Sequence, residues 1–388
     1  MTIDAISPAD ASTWMRIGGN DTHAEITQQP ELWNDLAERL ATACDGIDAF
    51  LGDWLHDPLN RVIFTGAGSS GFIAEMVADH VNAQWPADVR AIHTTSLLTH
   101  PDDYLLRDRP TLLVSFGRSG SSPESVAAVD LVRNMVTTTR FLDITCNADG
   151  ELARRGHGRA DTFTLLMPPA SCDRAFAMTS SLTCMLLAAL ATFDVAPWPQ
   201  RIARLRTVAA LGNDALAQWD QAVAELAAKP YARVIYLGSG PLEGWAREAA
   251  LKLLELTAGR VPAFANTPLG FRHGPKSLLD GETLVVMVRS AQALSRRYEQ
   301  DLLDELHRDG VVGRVLSIGP AVANGGDADD VALRVPTLPD SWLAPVWLTF
   351  AQRYALHRSA MLGFTPDNPF PDGTVNRVVQ GVIIHHHG

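Results

Sequence analysis

One stretch of this chain occurs twice at a constant separation. The segment 61–68, RVIFTGAG, returns at 233–240 as RVIYLGSG, a lag of 233 − 61 = 172 residues. The segment 111–114, TLLV, returns at 283–286 as TLVV with the same lag. Two matches at one lag indicate a duplicated unit in which a buried strand leads through a glycine loop into a helix. The chain is therefore predicted to contain two copies of one α/β domain.

The two copies differ in the residues that follow their glycines. The first copy continues with Ser69, Ser70 and Gly71, whereas the second continues with 241–243, PLE. Serine hydroxyls beside exposed backbone amides can bind an anion, and proline and leucine side chains cannot. We therefore expect the anion-binding chemistry of this loop in the first copy only.

Composition excludes several classes of protein. The 388 residues suit two domains that each bury a core, and 46% hydrophobic with 20% charged residues is typical of a soluble globular chain. A net charge of −12 without a long basic run argues against a nucleic-acid partner. The four cysteines form no CxxC pair, and Met1 to Asp10 lacks a signal-peptide pattern. Reduced thiols and a cytoplasmic location are expected.

One uncharged stretch, Ala175 to Phe193, is long enough to raise the question of a membrane span. It contains five serine and threonine residues and much alanine, which favours a helix buried between domains or subunits. No membrane association is expected. The histidines 385–387 are either a natural end or an added tag, and we do not expect them to bind a metal.

Short apolar runs alternate with segments of helical length. This pattern is typical of doubly wound, flavodoxin-like three-layer αβα domains with parallel sheets. The predicted strands are 61–66, 89–95, 111–116, 140–146 and 162–167 in the first copy and 233–238, 261–265, 283–288, 313–318 and 331–335 in the second.

The remaining segments define the predicted domain organisation. Residues 196–205, with Pro197, Trp198 and Pro199, mark the predicted boundary between the two halves, and helices are predicted over about 206–228 and 341–361. We expect a helical segment at 1–55, a first domain at 56–200, a second domain at 201–363 and an extended tail at 364–388.

Two loops of the first copy carry hydroxyl groups to the same edge of the predicted sheet. One is Gly66 to Gly71, and the other is 115–124, SFGRSGSSPE, with Ser122 as a natural N-cap of the next helix. Ligands of doubly wound sheets bind beyond the carboxyl ends of the strands. Serines, helix N-terminal amides and the guanidinium of Arg118 together suit a phosphate monoester.

A dinucleotide site is the alternative for the first loop, because Gly66, Gly68 and Gly71 satisfy G-x-G-x-x-G. That fingerprint requires an acid at the end of the second strand to bind the ribose. The second strand here ends in 92–96, IHTTS, which has no acid, so NAD is not favoured.

Three residues of the second copy are candidates for proton transfer. Lys252 and Glu255 are three apart and share one face of a predicted helix, and His273 precedes a Gly-Pro break. Each has an ordinary alternative: a surface ion pair for the first two and a turn histidine for the third.

These features together resemble the sugar isomerase (SIS) domain family, in tandem, over roughly residues 40–365. The forms SFGRSGSSPES and GFRHGPKS are most similar to its AgaS-type group. The resemblance implies that Gly68, Ser69, Ser70, Arg118, Ser119 and Ser122 bind phosphate and that Thr179 contacts the sugar. It implies Glu255 as the enolising base, His273 as the ring-opening histidine and Lys252 beside them.

The resemblance also implies a reaction. We expect a hexosamine 6-phosphate such as galactosamine 6-phosphate to be isomerised and deaminated, with no metal and no cofactor. In the related glucosamine-6-phosphate synthase the histidine comes from the neighbouring subunit, so a homodimer with an interface site is implied. The alternatives are a ketose/aldose isomerase that releases no ammonia and a non-catalytic phosphosugar sensor.

Overall fold

The computed structural model describes residues 11–321, 330–379 and 381–385, so the predictions for 1–10 and for His386 and His387 lie outside the described residues. The chain forms two five-stranded parallel sheets, in two compact units. The first unit holds 28–173, 178–209 and the tail from 372, and the second holds residues up to 27, 174–177 and 210–371.

The first sheet confirms the five predicted strands. Its order is β2-β1-β3-β4-β5, with β1 Arg61–Thr65, β2 Asp88–Ala91, β3 Thr111–Gly117, β4 Thr139–Thr145 and β5 Thr162–Leu166. Strand β2 ends earlier than predicted because the chain turns at His93 into a helix that begins at Thr94.

Helices cover both faces of this sheet. They are α3 Gln29–Leu51, α4 Ser69–Asn82, α5 Thr94–Thr99, α6 Pro101–Tyr104, α7 Pro123–Met135, α8 Glu151–Gly156 and α9 Ser180–Phe193. Ile63 and Phe141 pack on one face with Val132 of α7, while Phe64 meets Phe193 of α9 edge-on at 4.9 Å on the other. Burial on both faces agrees with the apolar centres of the two inner strands β1 and β3, which are buried at almost every position.

The second sheet repeats the first. Its order is β10-β9-β8-β6-β7, with β6 Arg233–Leu237, β7 Ala263–Asn266, β8 Thr283–Val288, β9 Arg314–Pro320 and β10 Val331–Leu333. Arg233 pairs with Thr283 as Arg61 pairs with Thr111. Gly240 has φ 56° and ψ −127°, and Gly68 has φ 56° and ψ −129°. The 172-residue repeat is therefore a repeat of backbone conformation.

The second unit buries a set of aromatic side chains. Its helices are α1 Ala11–Ile17, α2 Asn20–Thr27, the end of α10 Trp198–Ala227, α11 Pro241–Leu256, α12 Pro268–Phe271, α13 Ala293–Asp309 and α14 Asp340–Met361. Trp342, Trp347 and Tyr354 of α14 are fully buried, which confirms their predicted role as packing anchors. Trp219 of α10 stacks on Trp347 at 5.8 Å.

Two helix predictions were wrong in detail. The helix predicted over about 206–228 begins earlier, at Trp198, because a proline is tolerated in the first turn of a helix. The uncharged helix α9 lies within the first unit, in contact with α3, α4 and β4 and buried at every position. It is not buried between domains or subunits. Within the described ranges, every helix is too short or too polar to cross a bilayer.

Candidate active site

The first glycine loop connects β1 to α4 by a close backbone turn. A Cβ atom at Gly66 would lie 2.5 Å from the backbone carbon of Ser70, and Gly68 has a positive φ, so both positions favour glycine. Helix α4 then begins at Ser69, which places Ser69 and Ser70 in its first turn. Their hydroxyls therefore lie at the positive end of the helix dipole.

The second loop follows β3, the neighbour of β1, and the strand order reverses between these two strands. The two serine loops therefore flank the topological switch point, as predicted. The loop is braced from within: Gly120 has φ 61°, Thr145 Oγ1 donates to the carbonyl of Gly117 at 2.7 Å, and the amide of Ser121 donates to Ser119 Oγ at 3.2 Å. Ser122 occupies the N-cap position of α7, but its hydroxyl bonds Ser125 Oγ at 2.7 Å instead of a backbone amide.

Arg118 is buried, at 7% exposure, and is held by the C-terminal tail. Its Nη2 donates to the backbone carbonyl of Arg377 at 2.9 Å. The guanidinium of Arg377 donates in turn to the backbone carbonyl of Asp173. Arg377 thus connects the serine loop after β3 to the segment that precedes α9. The sequence pattern alone had not singled out Arg377.

Thr179 is the N-cap residue of α9 and is buried. Its hydroxyl donates to Asp173 Oδ1 at 2.9 Å, and its amide donates to Oδ2 at 2.8 Å. Asp173 also accepts the amides of Ser180 and Ser181 and the hydroxyl of Ser181. This buried carboxylate satisfies the open amides at the start of α9, a capping role that the sequence analysis missed.

Lys252 and Glu255 form the predicted pair on α11, and the pair is not an ordinary surface contact. Lys252 is fully buried, and its Nζ donates to Glu255 Oε2 and lies 3.4 Å from Glu248 Oε1. Glu248 is also fully buried, while the side chain of Glu255 is 24% exposed. The ammonium group of Lys252 therefore lies between two carboxylates, and Glu255 is the only residue of these three whose side chain reaches solvent. The spacing from Glu248 to Lys252, i to i+4, was a visible signal for this third member.

His273 lies on an exposed turn after α12, as predicted. Its amide donates to the carbonyl of Gly270 at 3.0 Å, and Gly274 follows with φ 120°. The flanking residues fix this turn against α13, where Arg272 pairs with Glu305 at 2.6 Å and Lys276 with Asp309 at 2.6 Å. No hydrogen bond or ion pair joins the His273 side chain to Glu255 among the residues that the structure describes.

Comparison with known proteins shows the family of this chain. The family model of the SIS domain matches residues 58–193. The chain is 43% identical to D-galactosamine-6-phosphate deaminase AgaS of Escherichia coli O157:H7, over 98% of both proteins. It is 40% identical to the protein of that name from Shewanella sp. (strain ANA-3), over 94% of this chain and 91% of that one.

Solved structures show the same architecture. The crystal structure of tagatose-6-phosphate ketose/aldose isomerase from Escherichia coli gives a TM-score of 0.87 at 40% identity, covering 98% of both chains. The C-terminal domain of glucosamine-fructose-6-phosphate aminotransferase from Francisella tularensis shares the fold, with a TM-score of 0.75 at 20% identity over 90% of this chain and 98% of that one.

The duplicated sheets and the serine loops at the switch point define a protein of the SIS domain class. Within that class, the chain belongs to the AgaS-type family, with which it shares two fifths of its residues over nearly its whole length. The predicted fold and family are confirmed.

Proposed function

We propose that this protein is a D-galactosamine-6-phosphate deaminase, which converts its substrate and water into tagatose 6-phosphate and ammonia. The identity to AgaS deaminases over nearly the full chain supports this substrate. The observation that carries the chemistry is the α11 cluster, in which a buried lysine contacts the one partly exposed glutamate, Glu255.

Phosphate binding is proposed for the first unit. Ser69 and Ser70 in the first turn of α4, with Ser119 and Ser122 after β3, would donate hydroxyl hydrogen bonds to the phosphate oxygens. The backbone amides at Gly68 and along both loops add further donors. Arg118 would contribute positive charge and planar N–H donors to the phosphate, because a guanidinium stays protonated at neutral pH. Thr179 remains the proposed sugar contact.

Proton transfer is proposed for Glu255. After the ring opens, the carboxylate would take the proton from C2 while the C1 aldehyde oxygen is protonated, giving an enolamine. Returning the proton to C1 leaves an imine at C2, to which water adds and from which ammonia leaves. Lys252 would hold the carboxylate in place and counter its charge through the contact on α11. None of these steps requires a metal or a redox cofactor.

We propose that His273 opens the sugar ring in the active site of a second copy of this chain. Its exposed position on a turn that is fixed by Arg272 and Lys276 supports this assignment. An imidazole suits the step because its two ring nitrogens can accept and donate a proton. A homodimer follows from this proposal. We also place the reaction in the cytoplasm, where four cysteines without disulfides would stay reduced.

The test is an ammonia assay with galactosamine 6-phosphate and glucosamine 6-phosphate, run on wild type, Glu255→Gln and Glu243→Gln. Glu243 lies on the same helix, paired with Arg247 at 2.7 Å, and is the matched control. Loss of the base should lower kcat about 10²–10⁴-fold in E255Q, while E243Q keeps it. Full turnover in E255Q would refute the assignment.

A ketose/aldose isomerase is the second candidate, because the similar Escherichia coli structure bears that name. Both reactions begin with the same proton transfer at C2. Formation of tagatose 6-phosphate from an aldose phosphate without ammonia release would favour it. Binding of the phosphosugar without any turnover would instead indicate a sensor.

A further inference from the structure

The second copy retains the geometry of the anion-binding loops although its serines are fewer. Strands β6 and β8 are neighbours at the point where the second sheet reverses its strand order, as β1 and β3 are in the first. The loop after β6 contains Ser239 and the positive-φ Gly240. The loop after β8 begins with Arg289 and Ser290. The crevice therefore brings hydroxyl, amide and guanidinium donors together.

A carboxylate of the chain itself occupies this crevice. Glu299 of α13 is fully buried, and its Oε1 accepts the hydroxyl of Ser239 at 2.7 Å. Its Oε2 accepts the amide of Ser290 at 3.0 Å and lies 3.8 Å from Nε of Arg289, which is also buried. A second buried acid, Asp340, accepts the hydroxyl of Ser290 at 2.5 Å and the amide of Ala291 at 2.6 Å.

The donors around Glu299 are of the kind that bind oxyanions. A hydroxyl from the loop after β6 and, from the loop after β8, a backbone amide and a nearby guanidinium converge on one carboxylate. Burial raises the pKa of Glu299, and the bonds from Ser239 and Ser290 offset part of that rise. Removing the carboxylate would deprive the Ser239 hydroxyl and the Ser290 amide of this acceptor, and Arg289 of the contact at 3.8 Å.

We propose that the crevice after β6 and β8 is a small-oxyanion site, of the same class as the phosphate site of the first copy, which Glu299 fills as an internal ligand. The site is closed to external anions in the native chain. We expected anion-binding chemistry in the first copy alone; under this proposal the second copy also binds an anion, one supplied by its own helix α13. It does not depend on the proposed substrate.

The test is anion rescue of Glu299→Ala. Truncation to alanine removes the carboxylate and opens space beside Ser239, Ser290 and Arg289. Melting midpoints are measured in sodium formate, in inorganic phosphate and in chloride at equal ionic strength. An anion at a hundred times its dissociation constant should raise the midpoint of E299A by roughly 5–10 °C over chloride.

Two controls make the result specific. Wild type keeps its own carboxylate, and Glu299→Gln keeps the space filled, so formate should not stabilise either protein. Phosphate can also bind the first copy, so its effect on E299A is compared with its effect on both controls. If E299A is insoluble, refolding yields in formate, phosphate and chloride replace the midpoints. The proposal is overturned if neither anion stabilises E299A beyond the controls, or if neither restores its refolding.

Discussion

The side chain of Asp143 lies in the middle of β4 and should make the first unit less stable as the pH rises. It is 2% exposed, and its Oδ1 accepts no hydrogen bond from the described residues. It faces a cavity of about 280 Å³ lined also by Arg133, Arg155 and Thr162. Burial raises the pKa of this carboxyl group from 3.8 to about 7, and Ser115 and Arg133 offset only part of the rise.

The size and sign of the effect follow from proton linkage. Because the folded pKa is the higher one, the folded chain holds a proton that the unfolded chain releases between pH 3.8 and about 7. The contribution of the Asp143 proton to the free energy of unfolding is fully present below pH 3.8 and is lost as the pH rises through about 7. The total loss in the free energy of unfolding is the difference between the two pKa values multiplied by about 1.36 kcal/mol per pH unit, which gives about 4 kcal/mol. Roughly 2–3 kcal/mol of that loss falls between pH 5 and 8.

Asp143→Asn removes the titration while keeping the shape of the side chain. The free energy of unfolding of D143N minus that of wild type should therefore increase by roughly 2–3 kcal/mol from pH 5 to 8. Urea unfolding at several pH values, followed by tryptophan fluorescence, measures it. Asp130→Asn is the matched control, since Asp130 lines the same cavity but is exposed and paired with Arg155. Parallel pH profiles for wild type and D143N would show the reasoning to be wrong.

Two further predictions concern the region around Arg118. In Arg377→Ala the tail loses its bond to the Asp173 carbonyl, so Arg118 is held less firmly, and KM for the phosphosugar should rise about tenfold with kcat little changed. Steady-state kinetics with Arg377→Lys as the conservative variant check this, and an unchanged KM in R377A contradicts it. Asp173→Ala strips the cap from α9 and leaves buried donors unsatisfied, so it should lower the free energy of unfolding by about 2–4 kcal/mol. Urea unfolding measures the loss, and a change below about 0.5 kcal/mol would contradict the capping role.

Local pattern predicted most of the fold. All ten strands were predicted, most clearly β1, β3, β6 and β8, because strands buried on both faces leave a run of apolar residues. The 172-residue lag identified the duplication, and the loops after β1 and β3 were placed at the switch point by topology alone. The pair of Lys252 and Glu255 was predictable because helical spacing brings residues three apart onto one face.

The start of α10 shows where local signals are ambiguous. Pro197 and Pro199 suggested a boundary with a helix that starts only near residue 206, yet proline is compatible with the first turn of a helix and α10 begins at Trp198. Ser122 occupies the predicted N-cap position of α7, but its hydroxyl forms a hydrogen bond with the Ser125 hydroxyl and caps no backbone amide.

By itself the sequence determined two α/β domains, their strands, the serine loops and the short-range pair on α11, because each rests on residues close in the chain or on a repeat at one constant lag. Only the tertiary structure decided the partners of the charged groups: Arg377 on Arg118, Asp173 at the start of α9, and Glu299 in the second crevice. These contacts join residues separated by 259, 6 and 60 positions. The contacts of Arg377 with Arg118 and of Glu299 with Ser239 have no periodic signature in the sequence, because tertiary packing decides which distant residues meet. The contact of Asp173 with Thr179 spans a bend, which follows neither helical nor strand spacing.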